Sequence, residues 1–458
     1  MSALWTSAEI EAATGGTASA VFEVTGVTFD SREAGPGDLF VAMPGTASDG
    51  HDFVDQAFAQ GAAAALVSTS VSGHHVLVPD VAEALTALAI ESRRRTGATV
   101  IGVTGSVGKT STKEALAAAL ERSRKGPVHR SVKSYNNHTG VPLSLARMPK
   151  ATRFAVLELG MNHAGEIAAL TRLVRPHVAL VTAIASAHVE QLGSMEAIAD
   201  AKGEIFEGLE EEGIAVIPED SPYRDRLVRA ARGHADRTIT FGRSEDADVA
   251  TMAAARSDEG GSLVTARLVD SELTFTLSQR GDHWISNAMA VLAVVEAVGG
   301  DLGAAGLALA DLGGLKGRGE RHRIAVEGGT ALLIDESYNA NPASMAATLA
   351  SLGSEIVSGR RIAVLGPMRE LGEESEAMHA ALAEPVSDAK VERLVLVGDE
   401  MRGLAKALDG QIESVVADNV EEAVRLVKAI LGPGDVVLVK ASNSVGLAAL
   451  VDRVAGGG

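Results

Sequence analysis

The chain has 458 residues, no cysteine and only 3% aromatic residues. Its 60 Asp and Glu outweigh 41 Lys and Arg, a formal net charge of −19 and the reverse of what a polyanion-binding surface needs. These numbers exclude disulfides, thiolate metal sites and cysteine nucleophiles, and argue against stacking platforms for nucleic acid.

A strongly acidic chain can still bind a small anion such as a nucleotide, through a local site of Lys, Arg and backbone N–H groups. The N-terminal MSALWTSAEIEAATGG has no basic region followed by an apolar one, so no signal peptide is expected. The apolar runs are broken by Gly or charge, well short of the ~20 residues a membrane span needs. No membrane insertion and a cytoplasmic location are expected, and the lack of cysteine fits a reducing compartment.

Residues 1–97 contain short strands and helical segments around 50–61 and 81–95, and close on RRRTG (93–97). From Val100 onward the pattern is strand, loop, helix. TVIGVTG (99–105), FAVLELG (154–160), VALVTAI (178–184) and IAVIPED (214–220) are near-continuous apolar runs of strand length. ALLIDES (331–337), RIAVLGP (361–367), RLVLVGD (393–399) and DVVLVKA (435–441) repeat the pattern. Such runs alternating with helices predict parallel sheets covered on both faces, with ligand sites at the carboxyl ends of strands. The expectation is an α/β fold of three domains. A small α/β domain spans 1–97, a central P-loop ATPase-like parallel sheet 98–323, and a Rossmann-like α/β domain 324–458. A more β-like insertion is expected near 237–280, and LGGLKGRGERHR (312–323) reads as the hinge.

The strongest single motif is VIGVTGSVGKTSTKEAL (100–116). A strand ends in a glycine-bearing turn and a helix begins at Lys109. Thr104, Gly105, Ser106, Gly108 and Ser111 would surround phosphate oxygens, Lys109 would reach the β/γ-phosphates, and Thr110 would ligate magnesium. The general phosphate-loop pattern would put Gly at position 103, where Val103 stands. The bland alternative is a glycine turn capping an ordinary helix.

Further segments follow in order: SYNNHTGVPLSL (134–145), LELGMNHAGEI (157–167), SAHVEQLGSMEAIADAKGEIF (186–206), SNAMAV (286–291), GRGERH (317–322), DESYNANPASM (335–345) and LGPMRELGEES (365–375). Together with TGSVGKTSTKE they resemble the Mur ligases. The N-terminal DSREAGPGDLFVAMPGTASDGHDFVDQAFAQGA (30–62) resembles the UDP-binding domain of the same enzymes. DESYNANP and LGPMRELG are most similar to those members that join D-alanyl-D-alanine to UDP-N-acetylmuramoyl-tripeptide.

The resemblance implies ATP and two Mg²⁺ as cofactors, small-molecule substrates, no nucleic-acid partner and a monomer. It implies an acyl phosphate on a substrate carboxylate, attacked by an amine. Glu158 and His188 would hold a second Mg²⁺ beside the one on Thr110. Lys202 would be carbamylated by CO₂, becoming an anion able to orient the metal. Asn136 and Asn137 would lie near the phosphates and the substrate, although Asn is also common in turns. Asn287 would hydrogen-bond adenine; an N-cap is its alternative. Arg318 would take an ATP phosphate and Asp335 the ribose hydroxyls, with Glu336 as the alternative. Asn339 would also bind nucleotide, while Tyr338 and Asn341 would face substrate. Ser31 and Arg32 would hold the UDP diphosphate.

Two segments depart from the family pattern. Pro367 stands where an acidic residue is usual, and KASN (440–443) replaces K-G-S-R. Both lie in the domain that presents the dipeptide, where Lys440 and Ser442 remain as contacts. A relative with another amine substrate, or a P-loop ATPase that forms no bond, is the alternative.

Overall fold

The computed structural model describes residues 3–45, 48–186, 189–257 and 261–456. Three large sheets organise them, beside a two-stranded pair of Trp5–Thr6 with Glu23–Val24. The first, residues 17–77, has the order Thr17–Ala18, His75–Leu77, Ala64–Val67, Asp38–Val41, Gly26–Thr28, and is parallel except at its first pair. It packs on the helix Val81–Arg94, which Asp80 caps by accepting from Glu83 N. Arg93, in the tail of that helix, donates to the carbonyls of Val174 and Arg175, and Trp5 Nε1 donates to Ala146 O at 2.8 Å. These contacts fasten the N-terminal sheet to the central one.

The central sheet has nine strands. Thr99–Thr104 lies between Phe154–Glu158 and Val178–Val181, paired parallel to both. Alternate residues face opposite layers, as a pleated strand requires. Ile101 and Val103 pack with Leu116 and Leu120 of the helix Lys109–Arg122 and with Val291 of the helix Asp282–Ala297. Val100 instead joins Ile167, Leu170 and Ile198 on the other face. The sheet is therefore buried on both sides, which is why its strands read as unbroken apolar runs. The β-like segment near 237–280 is not an insertion. Its four strands, Arg237–Gly242, Val249–Arg256, Ser262–Arg267 and Glu272–Leu277, extend this sheet to its edge, the last two antiparallel.

The third sheet has the order Glu320–Val326, Gly329–Glu336, Val436–Lys440, Arg361–Leu365, Arg393–Val397, Glu413–Ala417, and is parallel beyond its first hairpin. It begins at Glu320, inside the segment expected as a hinge. A turn at Gly328, φ +81°, folds that strand back on its neighbour and draws it into the sheet. Among the described residues no helix is long and apolar enough to cross a membrane.

Candidate active site

The carboxyl ends of the second and third sheets face one another across a cleft of about 280 Å³. One wall is the phosphate loop. Gly105 has φ +147° and Gly108 φ +83°, and a Cβ on either would collide with Thr182 Oγ1 or approach Asn287 Oδ1 at 2.9 Å. Only glycine fits at these two positions, and the loop is pinned by Thr182 Oγ1 donating to Val107 O at 2.6 Å. Ser106, Gly108, Lys109, Thr110 and Ser111 line the cleft. Lys109 Nζ donates to Gly105 O at 2.6 Å, and burial holds its pKa below the ordinary lysine value. Thr104 is set deeper: its hydroxyl donates to Leu159 O at 2.8 Å and it does not line the cleft.

Beneath the loop lies a buried carboxylate. Glu158 ends its strand at 1% exposure. Oε2 accepts from Thr110 Oγ1 at 2.9 Å and Oε1 from Asn136 Nδ2 at 2.7 Å. Its main-chain N–H donates to Ser131 Oγ at 3.0 Å, and Ser134 Oγ lies 3.3 Å from Thr110 Oγ1. An anion this buried is stable only beside donors or a cation. Asn136 joins this cluster and the Asn137 side chain does not. The Asn137 side chain accepts from Thr139 N and from Gly140 N at 2.9 Å, capping the helix Gly140–Ala146.

Lys202 is 1% exposed, and its ammonium nitrogen has no hydrogen-bond partner. Burial pushes its pKa well below the ordinary value, and the charge of Lys109 adds to the effect. The helix Met195–Gly203 carries the side chain, capped by Ser194 accepting from Ala197 N. His188 lies outside the described residues.

The facing wall comes from the third sheet. Arg318 stacks over the Tyr338 ring at 4.4 Å, and Gly317, φ +73°, permits the approach, since a Cβ there would meet Tyr338 Cβ at 2.8 Å. Glu336 and Lys440 end neighbouring strands in register, with Lys440 Nζ 3.6 Å from Glu336 Oε2 and donating to Asn339 O at 2.8 Å. Burial raises the Glu336 pKa and lowers that of Lys440. Glu336, Asn339, Asn341, Arg318 and Lys440 line the cleft.

Asp335 does not, so Glu336 rather than Asp335 is the carboxylate that faces the cleft. Successive strand residues point to opposite faces. Asp335 points inward, accepting from Gly317 N at 2.8 Å and Ser337 N at 3.0 Å, and thereby ties the incoming segment to the loop. Asn341 caps the helix Pro342–Gly353 in a reciprocal pair with Ser344. Ser442 Oγ accepts from Arg369 N at 3.0 Å, which holds it within the third sheet's own loops.

Asn287 does not start its helix; it lies inside Asp282–Ala297, with its amide against Gly108. Its neighbour His283, one turn earlier on the same face, also lines the cleft, with burial lowering its pKa to about 4. The i, i+4 spacing to Asn287 was the sequence signal for it. Nothing local marked Ser134 or Thr182.

A second cavity of about 640 Å³ lies beside the first sheet, lined by Phe29, Asp30, Ser31, Arg32, Gln56 and Thr139 among others. Ser31 Oγ donates to Gln56 Oε1 at 3.0 Å. Arg32 is largely exposed and forks onto Asp30.

Three family models match the chain: "Mur ligase family, catalytic domain" over residues 23–102, "Mur ligase middle domain" over 103–295, and "Mur ligase, glutamate ligase domain" over 317–443. The UDP-N-acetylmuramoyl-tripeptide–D-alanyl-D-alanine ligase of Bacillus subtilis is 35% identical over 440 residues, covering 93% of this chain and 92% of that protein. The Escherichia coli protein of the same name is 37% identical over 429 residues, with coverage of 93% and 92%. Among solved structures, MurF from Acinetobacter baumannii superposes with a TM-score of 0.84 at 29% identity, covering 99% of both chains. The MurF ligase from Thermotoga maritima in complex with ADP gives 0.76 at 29% identity, covering 94% of this chain and 97% of that one.

Proposed function

The chain belongs to the Mur ligase family, and from the substrates named for its relatives we propose that it joins D-alanyl-D-alanine to UDP-N-acetylmuramoyl-tripeptide. It is an ATP-dependent ligase that forms a peptide bond, and its product is the UDP-linked pentapeptide for peptidoglycan synthesis. The observation that carries the reading is one cleft with Lys109 and Thr110 on one wall and Arg318, Glu336 and Lys440 on the other.

In this reading residues 1–97 hold the UDP end of the precursor, 98–323 hold ATP, and 324–458 bring the dipeptide. Ser31 and Arg32 meet the diphosphate, Arg32 exchanging Asp30 for it. Gly105, Ser106, Gly108 and Ser111 surround the phosphates. Lys109 and Arg318 hold the β/γ-phosphates, and the bidentate fork of arginine suits a transferring phosphoryl group. Glu336 takes the ribose hydroxyls. Asn287, Asn339 and His283 border the base and ribose, and Tyr338 orients Arg318.

A precursor carboxylate oxygen attacks the γ-phosphorus and ADP leaves. The dipeptide amine then attacks the acyl carbon, loses a proton, and phosphate departs with its oxygen. Closure of residues 324–458 over the cleft would keep water from the acyl phosphate.

The donor set suits magnesium, a hard cation that prefers oxygen. Thr110 would serve one ion, and Glu158 with a carbamylated Lys202 the second. When bound, the metal would offset the negative charge that develops in the transition state. The buried Lys202 amine, without a hydrogen-bond partner and held well below the ordinary lysine pKa, supports the carbamate: its nitrogen would bond to CO₂, a proton would leave, and an anion would face the metal. We further propose a cytoplasmic monomer.

Mass spectrometry of the product tests the substrate assignment. The pentapeptide should form from the tripeptide precursor and D-alanyl-D-alanine. Product with L-lysine or a diamino acid but not with the dipeptide would overturn it.

A further inference from the structure

Lys113 is fully buried, and nothing in the reaction just described uses it. It lies one turn along the phosphate-loop helix from Lys109 and Thr110. Its ammonium donates to two main-chain carbonyls, Ser131 O at 2.8 Å and Lys133 O at 2.7 Å. Glu114 Oε1 lies 3.1 Å from it and Glu158 Oε2 3.9 Å. A buried ammonium is costly unless every donor is used, and here carbonyls and carboxylates surround it.

What it grips is the segment 131–137, between the strand Val128–Arg130 and the helix Gly140–Ala146. Both ends of this segment touch Glu158. Ser131 Oγ accepts from Glu158 N, and Asn136 Nδ2 donates to Glu158 Oε1. Between them, Ser134 meets Thr110. Lys133, whose carbonyl Lys113 holds, has φ +53°. A residue with a Cβ keeps that left-handed conformation only against a steric cost, so the turn needs an external tie. The same segment reaches the N-terminal sheet, since Lys133 Nζ pairs with Glu33 beside Arg32.

We propose that Lys113 is a positioning residue: it ties residues 131–137 to the phosphate-loop helix, so that Ser131 holds the Glu158 main chain and Asn136 its carboxylate in place for a divalent cation beside Thr110. This rests on reading Glu158 as a magnesium ligand.

Two readouts on Lys113→Met test it: amide hydrogen exchange, and Mn²⁺ affinity in the presence of ADP, followed by electron paramagnetic resonance. The amides of 131–137 should exchange about tenfold faster or more, with Lys109–Arg122 and Phe154–Glu158 still protected. The Mn²⁺ dissociation constant should rise about 10–100-fold, as when a partner of a metal ligand is lost. Unchanged exchange at 131–137 overturns the proposal. So does faster exchange with unchanged Mn²⁺ affinity, where Glu158→Gln weakens Mn²⁺ binding. If Glu158→Gln also leaves it unchanged, the reading of Glu158 fails and takes the proposal with it. Should Lys113→Met not fold, Lys113→Gln keeps an amide donor in similar volume and is read the same way.

Discussion

Thr110 Oγ1, in the first turn of the phosphate-loop helix, donates to Glu158 Oε2, at the end of the neighbouring strand, at 2.9 Å. In the proposed reading this hydroxyl would meet a metal ion on one side and the buried carboxylate on the other. Removing the charge while keeping the shape tests it. Glu158→Gln should lower kcat/KM by about 10²–10³-fold in steady-state assays, with little change in metal-free ADP binding.

The adjacent asparagines should separate cleanly. Asn136→Ala removes a donor to Glu158 and should cost about 10–100-fold in activity. Asn137→Ala removes a helix cap and should cost about 1 kcal/mol of stability with activity nearly intact. Kinetics and thermal melts on the pair check this.

Lys202 stores instability for function. Its folded-state pKa lies well below 10.5, so in CO₂-free protein the unfolded chain binds a proton that the folded chain lacks. Stability should therefore rise with pH between the folded value and 10.5, and level off below the folded value, where both states carry the proton. Lys202→Met should flatten that slope, raise stability at pH 7 by about 1–3 kcal/mol and abolish ligation. Denaturant melts across pH, in CO₂-free buffer, measure it.

Asp335 and Glu336 divide two tasks. Asp335→Ala leaves two buried N–H groups, of Gly317 and Ser337, without their acceptor, and should cost about 2–4 kcal/mol of stability. Glu336→Ala should instead raise the KM for ATP with a small change in melting temperature. Equal effects of both on KM would count against the division.

Glu355 ties the second and third sheets across the cleft. At 4% exposure it accepts from Arg280 at 2.7 Å, just before the helix Asp282–Ala297, and from Arg321 at 2.8 Å, on the first strand of the third sheet. Glu355→Ala should loosen this tie between the two sheets. Small-angle scattering should then show less compaction with nucleotide and precursor than the unaltered chain shows.

Much of this was local in the sequence. The apolar strands, the glycine-bearing phosphate loop and the order of segments each depend on a few consecutive residues. What escaped depends on distant partners or on the phase of a strand. Asp335 and Glu336 are neighbours, and a period of two puts one inward and one into the cleft. Asn136 and Asn137 differ by the direction of one turn. Residues 237–280 read as an insertion because the strand that receives them, Ile214–Pro218, adjoins them only through sheet pairing. Lys113 reads as an ordinary helix-face lysine until the segment 131–137 is folded over it.

In the proposed reaction ATP turnover is coupled to joining two substrates. Phosphate release from ATP with Mg²⁺ tests it most directly, with each substrate alone and with UDP-N-acetylmuramoyl-tripeptide and D-alanyl-D-alanine together. The account predicts sustained release only when both are present, one phosphate per pentapeptide formed. Release at the same rate with ATP alone, indifferent to either substrate, would contradict it.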